Sequence, residues 1–74
     1  MQGGDLKAAQ EMLEQAVAID ATKAAWWNNL GLVRYYAGDF AAARAAGDRA
    51  LALQPDNPDF LNNRGMELQK LDQL

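Results

Sequence analysis

Slid thirty-four residues along itself, the chain matches itself, and no other feature limits its folding as tightly. Gly4-Asp5 falls on Gly38-Asp39, Ala8-Ala9 on Ala42-Ala43, and Ala16 on Ala50. Leu6 falls on Phe40, Val17 on Leu51 and Ile19 on Leu53. Further on, Trp26-Trp27 meets Phe60-Leu61, Asn28-Asn29 meets Asn62-Asn63, and Gly31 meets Gly65. Nine of the forty overlapping positions are identical, and most others in the apolar stripes are conservative. A period of this length marks a supersecondary unit that buries its apolar face by stacking on its neighbours.

The unit is helical. Fifteen alanines and ten leucines stand against three Val/Ile, which favours helix over strand. Leu6, Ala9, Leu13, Ala16 and Val17 form one stripe of an amphipathic helix over about 5–19, with Asp5 as its N-cap and Gly3-Gly4 as turn before it. Asp20-Ala21-Thr22-Lys23 is a short polar break. A second helix is predicted over about 24–37 and is stopped by Gly38. Asp39 caps a third over about 40–53, which Pro55 cannot continue. Asn57 caps a fourth over about 58–71, with Pro58 at its first position. Connections this short force neighbouring helices antiparallel.

Helix, Gly-Asp turn, helix and Pro-containing connector together resemble the tetratricopeptide repeat family. Trp27, Leu30, Gly31, Gly38-Asp39-Phe40, Ala43, Ala50 and Pro55 carry the resemblance, at that family's spacing. The resemblance implies an all-α fold: antiparallel helix pairs in a short right-handed solenoid of four helices. It divides the single domain, 1–74, into the second helix of one repeat (3–23), a full repeat (24–57) and the first helix of another (58–74). The small residues have a physical reason: Gly31, Ala43 and Ala50 let helices approach closely, and Trp27, Leu30 and Phe40 fill the space between them.

Four positions depart from the family pattern. Arg34 stands where an aromatic is usual, and Gly47 where a large residue is usual. Either another side chain, Phe60 for one, fills the space at Gly47, or that face is slack. We expect room, so that Gly47→Ala stabilises by up to ~1 kcal/mol. Ala21 replaces the connector proline, so the first connector is expected to be looser than the second. No glycine near Asp72 matches Gly38, so the fourth helix is free to run on.

Composition narrows the chemistry. There is no Cys, no His, no Ser and a single Thr, Thr22, which leaves almost no inventory for nucleophilic catalysis and none for zinc or haem ligation by those groups. Glu11/Glu14 and Asp56/Asp59 are paired carboxylates, read here as a solvated helix face and as helix-dipole partners. A net charge of −3 argues against a nucleic-acid partner. No apolar run approaches a membrane span, and no apolar stretch follows a basic start as in a signal peptide, so the cytoplasm is the favoured compartment. No cofactor, metal or membrane insertion is expected, and the chain is read as non-enzymatic.

Binding is the better reading. In the family that the chain resembles, the first helices of successive repeats line a concave groove that takes peptide segments. Carried onto this sequence, that groove draws on Ala25, Asn28, Asn29, Leu32, Tyr35 and Tyr36 from one helix, and on Asp59, Asn62, Asn63, Met66, Gln69 and Lys70 from the next. Asparagine offers both donor and acceptor and so pairs with a peptide amide. We select Asn28, Asn29, Leu32, Tyr35, Asn62, Asn63 and Met66 as the peptide-binding residues. Packing against a neighbouring helix is the competing role of Tyr35 and Tyr36. Capture of a terminal carboxylate, another mode in the family, is disfavoured, because Asp59 and Asn63 stand where Lys and Arg are usual.

The expected function is therefore a protein-interaction scaffold that grips a segment of a partner protein. The alternatives are a structural self-association element of a longer array, or the non-catalytic repeat part of a larger enzyme. Leu6, Leu13 and Val17 on the first helix, and Phe60, Leu61, Leu68 and Leu71 on the last, suggest weak head-to-tail association between copies.

Overall fold

A computed structural model describes residues 3–73 as four α-helices and, among these residues, no strand. The helices are α1 (Gly3–Ile19), α2 (Ala24–Tyr36), α3 (Phe40–Leu53) and α4 (Pro58–Gln73). Each end has a local cause. Gly38 adopts φ 89°, a left-handed conformation that costs glycine little. The Gly38 amide donates to the Tyr35 carbonyl and that of Asp39 to Arg34, both at 3.0 Å, which closes α2 in a Schellman turn. Asp39 then caps α3 by accepting from the Ala42 amide at 3.3 Å. Asn57 Oδ1 caps α4, accepting from Asp59 at 2.9 Å and Phe60 at 3.3 Å. The fourth helix does run on, to Gln73.

Two local expectations are corrected. Gly3 and Gly4 belong to α1, and Asp5 lies in its first turn, where a carboxylate complements the helix dipole without being the cap. The first connector is tied down although it lacks proline. Trp27 Nε1 donates to the Ala21 carbonyl at 2.9 Å, and Asp20 accepts from the Thr22 amide and hydroxyl. The second of these contacts, with Thr22, is the main reason the Asp20 carboxyl is held below the usual range.

The Cα trace fills 34 × 33 × 16 Å, a slab thick enough for two helix layers at the usual ~8–10 Å spacing. The α2 helix packs most extensively on α3 and also meets α1 and α4, while α4 rests mainly on α3. Two apolar clusters hold this arrangement. Val17, Leu30 and Ala46 form one, with Leu13, Trp26 and Trp27 against it. Ala24, Ala50, Leu51 and Phe60 form the other, again with Trp27. Trp27 thus belongs to both, and Arg49 lies over its ring at 4.9 Å. Ala43 and Ala50 have no exposed surface, so any larger side chain there would push helices apart.

Several end-face residues turn out to be core. Val17 and Phe60 are buried, and Leu13 packs against the first cluster. Leu61 and Leu68 of α4 are exposed, as the sequence suggests, and so are Met12 and Ile19 of α1, Tyr36 of α2 and Leu53 of α3.

Candidate functional site

The α2 and α4 helices lie side by side, and one side-chain bond joins them: Asn63 Nδ2 donates to Asn28 Oδ1 at 3.0 Å. The pairing crosses the repeat, since Asn28 corresponds to Asn62 and Asn63 to Asn29. Asn28 and Asn63 are half-buried, whereas Asn29 and Asn62 are exposed. Each bonded asparagine keeps hydrogen-bonding capacity: Asn28 its amide protons, Asn63 its carbonyl oxygen and one proton. Leu32, Tyr35 and Met66 are half-buried on the same two helices.

Tyr35 is engaged in packing. Its ring meets Phe40 of α3 edge-on at 5.3 Å and Tyr36 at 5.5 Å. Tyr36 remains exposed at 65% and is the freer of the two tyrosines.

Arg34, at the position where an aromatic is usual, spans three helices. Its Nη2 reaches Glu14 of α1 at 3.2 Å, and its Nη1 donates to the Ala42 carbonyl of α3 at 3.3 Å. A bond from Gln10 and then this contact hold the Glu14 carboxyl below its ordinary range. Glu14 thus ties α1 to α2 through Arg34.

The residue that sequence reasoning missed is Glu67. It is 1% exposed and occupies the space at Gly47 that Phe60 was considered for. Burial, and then the charge of Asp48, push its carboxyl up to about 7, against the opposing pull of Arg64. A signal did exist. Thirty-four residues earlier, Gly47 and Glu67 correspond to Leu13 and Val33, so a small residue and a long acid replace an apolar pair.

Among the described residues, no group of three or more acidic side chains could hold a metal, and no helix is long and apolar enough to cross a membrane. With the fold and this face in view, a family profile for the tetratricopeptide repeat matches residues 1–66. A TPR repeat-containing protein of Pseudomonas aeruginosa, PA0015, is 36% identical over 74 residues, covering 97% of this chain and 70% of its own length. The chain belongs to the tetratricopeptide repeat family. Protein O-mannosyl-transferase TMTC1 of Mus musculus is 41% identical over 69 residues, covering 93% of this chain but 7% of the transferase. The chain therefore spans a small part of one curated relative and most of the other. Repeats of this family are generally protein–protein interaction modules.

Proposed function

We propose that this chain is a non-catalytic interaction module that holds an extended segment of a partner protein across α2 and α4. In this reading residues 24–57 are a full repeat, 3–23 the second helix of a repeat and 58–74 the first helix of another. The observation that carries the reading is the Asn63–Asn28 bond at 3.0 Å. It fixes two side-chain amides on neighbouring helices while leaving donors and an acceptor over, which suits a peptide backbone of any sequence. Asn29 and Asn62, exposed beside them, extend the polar face, and Leu32 and Met66 supply apolar contact. An array of extended peptides probed with the 74-residue chain tests this, with Asn29→Ala/Asn62→Ala as the control. Each lost bond is worth ~0.5–1.5 kcal/mol, so the double variant should bind roughly 5- to 150-fold more weakly. Undiminished binding by that variant contradicts the reading.

A second reading is favoured by the uncovered apolar groups. Met12 is 70% exposed, yet Ala46, its counterpart one repeat on, is 1% exposed against Leu30. The α1 helix of a second copy, offering Met12 and Ile19, would meet Leu68 of α4 in a head-to-tail contact that leaves both ends open. Sedimentation over a wide concentration range, with Met12→Glu and Leu68→Glu as probes, tests it. A strictly monomeric chain at high concentration contradicts it.

A further inference from the structure

We propose that Glu67 is a proton-operated latch: α4 docks on the α2–α3 pair with the Glu67 carboxyl seated in a notch floored by Gly31 and Gly47, and the dock loosens when that carboxyl ionises. The notch exists because neither floor residue has a side chain. A Cβ at Gly47 would stand 2.8 Å from Glu67 Oε1, and one at Gly31 would stand 3.3 Å from Oε2. The side chain is 1% exposed, and Oε1 has no hydrogen-bond partner among the described residues. A carboxylate can only accept, so an ionised Glu67 here leaves a buried charge unsatisfied. The neutral acid carries no such charge and fits the same cleft.

The surrounding charges do not rescue the ionised form. From α3, Asp48 repels it. Arg64, on α4 itself, attracts it, but Arg64 Nε lies 3.0 Å from Asp48 Oδ1, an ionic contact whose N–H is not aimed at the oxygen. Arg44 of α3 also reaches Asp48, at 3.8 Å, and Arg49 lies over Trp27. Arg34, the one charged residue of α2, is turned to Glu14 and the Ala42 carbonyl. Among the described residues, no cation is therefore committed to Glu67.

The sign follows. The folded carboxyl titrates at about 7 against an ordinary 4.5, so its contribution to stability is full below 4.5, falls as pH rises to about 7, and stays lost above. Because α4 also carries Asn62, Asn63 and Met66, loosening it would disturb peptide binding. That consequence rests on the proposed function, whereas the latch is tested without any peptide.

The test is the melting temperature of the 74-residue chain from pH 5 to pH 8, with a carboxyl-carbon NMR titration of Glu67. We expect melting to fall by ~5 °C or more across this range. Glu67→Gln and Glu67→Met, which fill the notch without titrating, should melt at nearly the same temperature at both ends. The carboxyl should titrate close to neutrality. A pH-independent wild-type melt, the wild-type slope persisting in both variants, or a Glu67 midpoint near 4.5 would each overturn the proposal. If neither variant folds, the wild-type titration decides by itself.

Discussion

Glu67 Oε1 lies 2.8 Å from where a Cβ on Gly47 would stand. An exposed carboxylate tip would swing aside at little cost. Glu67 is 1% exposed, and its other oxygen lies over Gly31, so relief means withdrawing the whole side chain from the notch. Gly47→Ala therefore sets a helix-propensity gain of ~1 kcal/mol against overpacking of ~1–3 kcal/mol, and the overpacking wins. We expect a net loss of about 1 kcal/mol by urea denaturation, the reverse of the sequence-based expectation. Added to a Glu67→Ala background, the same substitution should stabilise, because the clashing atom is gone. Loss in both backgrounds would show that something other than Glu67 opposes a side chain there.

The asparagines should separate by burial. Asn63→Ala breaks the bond to Asn28 and should cost ~0.5–1.5 kcal/mol of stability. Asn29→Ala and Asn62→Ala should leave melting within experimental scatter, since both residues are exposed. The two exposed positions are therefore the cleaner probes of binding. Equal melting of all three variants would mean that the Asn63–Asn28 bond adds nothing.

Phe60 should prove a core residue. It is buried against Ala24, Ala50 and Leu51. Phe60→Ala should cost ~3–5 kcal/mol, enough to threaten the fold of so short a chain, whereas exposed Leu61→Ala should cost far less. Thermal melts of the two variants decide the matter.

What the sequence made legible follows from its periodicity. The four helices, the Gly38 stop, the Asp39 and Asn57 caps and the place of Trp27 all depend on residues close in sequence or one repeat apart. Glu67 was illegible for a different reason. A Glu on a helix usually faces water, and only the pairing of two glycines on two other helices makes a buried place for it. The Asn63–Asn28 bond was hidden likewise. The repeat aligns Asn28 with Asn62, but neighbouring helices are offset, so the amide that reaches Asn28 is one residue further on. Phe60 was placed on an outer face because helical spacing gives a stripe without saying which neighbour covers it.

The acid side of the stability curve should be set by other groups. Glu14, held low by Gln10 and Arg34, and Asp20, held low by Thr22, contribute stability above their ordinary values of 4.5 and 3.8. That stability is lost as pH falls through their lowered values. Melting should therefore decline below about pH 4 as well as between about pH 4.5 and 7, and Glu14→Gln should flatten the acid limb alone. An acid limb unchanged in that variant would remove Glu14 from the account.

The peptide face is tested most directly by side-chain amide NMR of the isotope-labelled chain, titrated with a peptide selected on the array. We predict that the Asn28, Asn29, Asn62 and Asn63 amides shift together as peptide is added, while the signals of Met12 and Ile19 on α1 stay in place. Shifts confined to α1 and the outer side of α4, or an array on which no peptide binds, would contradict the account.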